Sequence, residues 1–218
     1  MTSRSPVSTP RDKRLKARPP SRPAAAIGAG AALPHSATVL LLVDFVNPLD
    51  FDGGERLAGP ALAAARATAR LKARMARDGV ATIYANDNSG VWRSEFSDIR
   101  AWCEGLPGEA GEIARLLAPS PDDLAMLKPR HSAFFGTPLD LVLTQMHART
   151  LVIAGLAADI CVHLTAMDAS LRGYKLWVPA DCTAAESKAA CRQSLAYMER
   201  VLHADTRAST ARRRIDRS

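Results

Sequence analysis

The sequence predicts an α/β protein: a Rossmann-like, three-layer α/β/α sandwich around a mostly parallel sheet of five or six strands. Three observations carry that prediction. Short apolar runs alternate with longer amphipathic segments along most of the chain. The clearest runs, Thr38–Val43 and Leu151–Ala154, are continuously apolar, as strands buried on both faces are. Chemically active side chains then stand directly after three of the runs, at the carboxyl edge where open α/β sheets assemble their sites.

The first strand, Thr38–Val43, ends in Asp44, and the loop from Phe45 to Glu55 carries Asn47, Pro48 and the pair Gly53-Gly54. Leu57 to Arg77 reads as a helix, with Ala, Leu and Met on one side and Arg66, Arg70, Lys72, Arg74 and Arg77 largely on a solvated one. Gly79 closes it and Val80–Tyr84 is the second strand. Ala85 to Gly108 has few periodic apolar residues and reads as a long loop of functional type. A short helix over Glu109–Leu117 leads to the third strand, Leu124–Leu127, with Lys128 directly after it. Thr137-Pro138 is an N-cap and N1 pair for a helix to about His147. Leu151–Ala154, bounded by Gly155, is the fourth strand, and Ile160 to Arg172 the next helix. Ile160, Leu164, Met167 and Leu171 are spaced for its buried face, and Gly173 stands at its C′ position. A strand begins at Tyr174–Val178, a last helix covers Glu186–Leu202, and a short sixth strand is placed near Ala204–Thr206.

Charge divides the 218 residues into a body and two tails. Of the net +7, residues 1–22 carry +6 and residues 207–218 carry +4, which leaves −3 on residues 23–206. The basic character therefore belongs to the tails, and the body has no basic stripe or aromatic platform for specific nucleic-acid binding. Residues 1–35 are rich in Pro, Arg, Ser and Ala without apolar periodicity, so a disordered extension is expected there, with a folded domain over 36–206 and a basic tail over 207–218. Ala24–Leu33 is too short for a membrane span, and no strong apolar stretch after the basic segment marks a signal peptide. Cys103, Cys161, Cys182 and Cys191 show neither C-x-x-C pairing nor metal spacing, which points to reduced thiols and a cytoplasmic protein.

Asp44, Lys128 and Cys161 follow three different strands on one rim, an acid, a base and a thiol. Cys161 falls in the first turn of a helix, where the dipole favours a thiolate, so a pKa below that of an ordinary thiol is expected. His131, His147, His163 and His203 have no ligand spacing, and ordinary packing or surface use is expected of them.

These residues carry a resemblance. The segments LLLVDFVNPL around Asp44, LKPRHSAFFGTPLDLVL around Lys128 and AGLAADICVHLTAMDASLRGYKLWVPADCTAA around Cys161 resemble the isochorismatase-like cysteine hydrolases, which include nicotinamidases, N-carbamoylsarcosine amidase and ureidoacrylate amidase. The resemblance implies a catalytic Asp44, Lys128 and Cys161, a cis peptide at Leu156–Ala157, and an oxyanion hole from the N–H groups of Ala157 and Cys161. It implies hydrolysis of a small amide, ureide or carbamoyl substrate through a thioester, and a homo-oligomer. Two departures stand out. Ala158 replaces the usual Thr, and NDNSGVWRSEF replaces the Asp-x-His metal motif of nicotinamidases, so no metal and no other cofactor is expected. Phe45, Asn88, Trp92, Arg93, Phe134 and Phe135 are candidates to line a pocket for a planar amide.

Three alternatives stay in view. The vinyl-ether branch of the fold works without a nucleophilic thiol, and a catalytically silent member would bind a ligand or partner. A dinucleotide binder would need a G-x-G-x-x-G after a strand, and none is present.

Overall fold

The computed structural model describes residues 33–211; the disordered extension expected before residue 33 and the last residues of the expected basic tail lie outside the described residues. Among the described residues the strands are β1 (Thr38–Val43), β2 (Ala81–Asp87), β3 (Leu124–Lys128), β4 (Thr150–Leu156), β5 (Lys175–Trp177) and β6 (Thr183–Ala184). The helices among them are α1 (Gly54–Arg77), α2 (Phe96–Glu104), α3 (Gly108–Leu116), α4 (Leu139–Gln145), α5 (Cys161–Leu171) and α6 (Lys188–Leu202). The sheet runs β3-β2-β1-β4-β5, with β6 on β4, and every pairing is parallel.

The central strands explain why the chain folds this way. Every residue of β1 and β4 is buried, because helices cover both faces of the sheet. Leu40 and Leu42 point into a core shared with α1 and α3, through Leu57, Leu71, Met75 and Ile113. Val39, Leu41 and Val43 point the other way, against Leu139 and Leu143 of α4, Val162 and Ala166 of α5, and Met198 of α6. Successive side chains of a strand face opposite sides, so one apolar run fills two cores. Strand order reverses between β1 and β4, which opens a crevice beyond their carboxyl ends.

Four expectations about elements are corrected. Phe96–Glu104 is a helix inside the segment read as a loop, held by its Phe96, Ile99 and Cys103 against Val46 and Ala114. The sixth strand is Thr183–Ala184 on β4, while the 204–206 segment supplies an isolated bridge from Asp205 to Trp177. The basic face of α1 is not wholly solvated, since Lys72 is mostly buried and pairs with Asp123 at 2.6 Å. The buried face of α5 consists of Val162, Thr165, Ala166 and Ala169, whereas Ile160, Leu164 and Leu171 are exposed, Leu171 by 83%. Small residues let α5 approach the sheet closely, and that contact outweighs the larger apolar side chains opposite.

Candidate active site

The β1 end places Asp44 at the switch point. Its backbone N–H donates to the Ala85 carbonyl at 3.1 Å, and its φ of 53° turns the chain away from the sheet. Asn86 on β2 then clamps the following loop from both sides. Its Oδ1 accepts from the Val46 N–H at 3.2 Å and its Nδ2 donates to the Val46 carbonyl at 2.8 Å. The Asp44 carboxylate accepts from the Asp87 N–H at 2.7 Å through Oδ1 and from Lys128 Nζ at 2.8 Å through Oδ2.

Lys128, the last residue of β3, is fully buried. Its ammonium also donates to Asp87 Oδ2 at 3.4 Å and to the Arg130 carbonyl at 3.2 Å, and lies 3.6 Å from Cys161 Sγ. A buried charge needs this many acceptors.

Cys161 opens α5 after the turn from β4. The Leu156–Ala157 peptide is cis, as the resemblance implied. The Ala157 carbonyl accepts from the N–H groups of Ile160 and Val162, and the Ala158 N–H donates to the Ala184 carbonyl at 2.7 Å. The N–H groups of Ala157 and Cys161 donate to no backbone carbonyl among the described residues, which leaves two donors beside the thiol. The turn is braced from behind. Ser194 Oγ donates to the Ala158 carbonyl at 2.7 Å, which uses its single proton, so His163 Nδ1 must be the donor in its 2.7 Å contact with that oxygen.

A cleft of about 330 Å³ opens above these groups. Leu49, Phe51, Leu57, Leu156 and Ile160 give it apolar walls, and Asp44, Asp50, Asp87 and Glu186 give it carboxylates. His131 also lines it, with Nδ1 3.7 Å from Cys161 Sγ. Sequence reasoning passed over His131 as ordinary packing; its place three residues after Lys128, in the segment leaving the β3 rim, was the available signal. Asp87, in the NDNSGVWRSEF segment, was not among the sequence candidates for the site either.

Of the sequence candidates, the structure brings Asp44, Lys128, Cys161 and Ala157 together. It places the six proposed lining residues elsewhere. Phe45 and Phe134 are buried in the two cores, one on each face of the sheet. Asn88 is buried as a turn former, its Oδ1 accepting from the Gly90 N–H at 2.9 Å. Trp92, Arg93 and Phe135 are exposed outside the cleft. The aromatic positions could not be aimed from the sequence, because alternate residues after a strand face opposite ways.

Electrostatics reverse one expectation. Burial, and then the Asp44 carboxylate, push the Cys161 thiol up to about 12, against the opposing pull of Lys128. Burial also raises Asp44 above the usual carboxylate range despite Lys128. Burial alone would lower Lys128, but Asp44, Cys161 and Asp87 together carry it above the ordinary lysine value. The thiol is therefore neutral at rest, near an aspartate whose hold on a proton burial has strengthened. Among the described residues no group of three His, Cys, Asp or Glu side chains is arranged to hold a metal ion.

Comparison with known proteins agrees with this architecture. The isochorismatase domain family matches residues 38–209. An uncharacterised isochorismatase family protein of Bacillus subtilis, YaaI, is 36% identical over 166 residues, covering 76% of this chain and 91% of that protein. The ureidoacrylate amidohydrolase RutB of Methylorubrum extorquens is 45% identical over 67 residues, but that stretch covers 31% of this chain and 27% of that protein. Among solved structures, N-carbamoylsarcosine amidase from Thermoplasma acidophilum superposes with a TM-score of 0.59 at 29% identity, covering 81% of this chain and 99% of that one. Staphylococcus aureus nicotinamidase superposes with a TM-score of 0.62 at 23% identity, covering 79% of this chain and 98% of that one, a likeness of fold. The family match runs from β1 to beyond α6 and takes in every element that bears the site, so the chain belongs to the isochorismatase family and is a hydrolase of that family.

Proposed function

We propose that the protein hydrolyses the C–N bond of a small amide, ureide or carbamoyl compound through a thioester on Cys161. The observation that carries this reading is the convergence of Asp44, Lys128 and Cys161 beneath a cleft, beside two N–H groups with no backbone acceptor. That two relatives bear the names of an amidase and an amidohydrolase supports the same class.

The chemistry follows from the charges. Asp44 takes the Cys161 proton as the sulfur attacks the carbonyl carbon, and its raised pKa makes it a better base than an ordinary carboxylate. The N–H groups of Ala157 and Cys161 receive the oxyanion, a contribution of about 3–4 kcal/mol per donor in comparable sites. The Lys128 ammonium stabilises the anion left on whichever neighbour is charged at each stage. The protonated Asp44 then delivers its proton to the leaving nitrogen as the C–N bond breaks. The carboxylate so regenerated takes a proton from water as that water attacks the thioester, and the tetrahedral intermediate collapses to acid and thiol.

The test is ammonia release from a panel of amides and ureides, with intact-mass detection of an acyl-enzyme. Wild-type turnover, with a Cys161 adduct and none in Cys161→Ser, is the expected result. Turnover retained in Cys161→Ser would transfer the reaction to Asp44 acting as an acid, as in the vinyl-ether branch.

A further inference from the structure

The cleft contains more negative charge than its own cations balance. Asp44, Asp50, Asp87 and Glu186 line it, and no Lys or Arg does so among the described residues. Lys128 lies beneath the floor, fully buried, with its ammonium held by Asp44 at 2.8 Å and Asp87 at 3.4 Å. That one ammonium is shared by two acidic side chains at the base and has no free charge to offer a ligand. Glu186 is matched by Arg56 at 2.6 Å on the outer wall. Asp50 is exposed at the mouth and forms no ion pair among the described residues. Leu49, Phe51, Leu57 and Ile160 give the cleft apolar walls, and Asn47, Ser89 and His131 are the other polar side chains that line it.

We infer that this site takes amides whose non-reacting part is uncharged or cationic and excludes those bearing a carboxylate. The inference rests on the reading of the cleft as an amide-hydrolase site and names its substrate class. A carboxylated substrate would bring an anion within a few ångströms of Asp50 and Asp87 in a partly desolvated cleft, with no guanidinium or ammonium free to receive it. An alkyl or aryl group finds matching walls, and an ammonium or amidinium at its far end meets Asp50. Arg93, one of the candidates to line the pocket, lies outside the cleft. The names of two relatives refer to carboxylated molecules, ureidoacrylate and N-carbamoylsarcosine, and the present cleft is built against that charge.

Two measurements test this, and they separate it from the catalytic reading. In the first, Cys161 is alkylated with iodoacetamide and with iodoacetate, modification is followed by peptide mass, and the rate ratio is compared with that of glutathione. Relative to glutathione, iodoacetate is expected to lag at Cys161 by at least about tenfold, the size of effect that like-charge contact produces. A ratio equal to that of glutathione, or a preference for iodoacetate, overturns the inference whether or not any amide is turned over. In the second, kcat/KM is compared for hexanamide, 6-aminohexanamide and adipamate, which share a chain length and differ in terminal charge. Adipamate is expected to be poorer than both by at least about tenfold. Equal turnover of all three overturns the charge inference and leaves amide hydrolysis standing. No turnover of any of these or of the wider amide panel, with iodoacetate still excluded from Cys161, removes the hydrolase reading and leaves the charge selectivity standing. Asp50→Asn should narrow the iodoacetate lag by about threefold or more, and an unaltered lag overturns the part assigned to Asp50.

Discussion

At Cys161 the backbone and the side chains pull in opposite directions. The first turn of α5 and the Lys128 ammonium favour the thiolate, whereas burial and Asp44 favour the thiol and hold its pKa at about 12. Alkylation of the free protein by iodoacetamide should therefore keep rising with pH through and beyond the ordinary thiol range. A plateau reached below neutral pH would mean that the thiolate is the resting form. Because the resting thiol is neutral, turnover depends on Asp44 as base, and Asp44→Asn should lower kcat by about 100-fold or more. Lys128 is bound to the same network by stability as well as chemistry. Lys128→Met leaves Asp44 buried without its cation, and breaking such a pair costs about 3–5 kcal/mol. Chemical denaturation should show that loss, and the double variant Asp44→Asn/Lys128→Met should recover most of it. A loss below about 1 kcal/mol in the single variant would place water, not protein, around Asp44.

Among the elements, α5 and β4 carry the site and tolerate little. Ala166 is fully buried against the sheet, so Ala166→Leu should destabilise by about 1–3 kcal/mol through overpacking. Leu171, on the opposite side and 83% exposed, should accept Ala within about 0.5 kcal/mol. The reverse ranking in thermal melts would restore the face that the spacing of Ile160, Leu164, Met167 and Leu171 had indicated. On β4, Gly155 has a φ of 147°, and a Cβ there would sit 2.1 Å from the Val43 carbonyl oxygen. Gly155→Ala combines backbone strain with a clash against β1, two strands joined along their whole length. A loss of about 3 kcal/mol is expected, which corresponds to a Tm lower by about 6–12 °C in a protein of this size.

For the molecule as a whole, the buried thiols make stability fall on the alkaline side. Burial raises Cys103 to about 11 and Cys182 to about 12, beside Cys161 at about 12, from an ordinary value of 9.0. Above that ordinary value the unfolded chain has released protons that the folded chain still holds. Each pH unit then favours unfolding by up to about 1.4 kcal/mol per thiol. The stability present below the unfolded pKa is thus lost as pH rises towards the folded ones. After discounting for solvent screening, a loss of about 3 kcal/mol between pH 9 and 10.5 is expected, read from urea midpoints. Cys103→Ala/Cys182→Ala should flatten that slope. The composition of residues 1–32 offers no apolar pattern to bury, and Leu33 is the first described residue to pack on the core. Removing those 32 residues is expected to shift Tm by no more than about 3 °C.

The sequence by itself determined what depends on runs and on neighbours along the chain. Thr38–Val43 and Leu151–Ala154 read as strands covered on both faces, and Asp44, Lys128 and Cys161, at or just beyond the carboxyl ends of strands, share one rim. The helices α1 and α6 were legible from periodicity long enough to average out local exceptions. Tertiary structure decided what depends on direction across space. The periodicity of α5 was ambiguous because apolar residues surround the helix, and close approach of Ala166 and Ala169 to the sheet chose the face. The cleft walls came from Leu49, Phe51, Leu57 and Glu186, which only the folding of two loops over the rim brings together, and not from the aromatic residues nearest the motifs. The helix α2 and strand β6 are too short for a sequence period and form only because Val46 and β4 wait for them. The charge state of Cys161 was set likewise: position along the chain supplied the helix terminus, but the depth of burial and the nearby Asp44 carboxylate belong to the packed molecule, and at low dielectric they prevail.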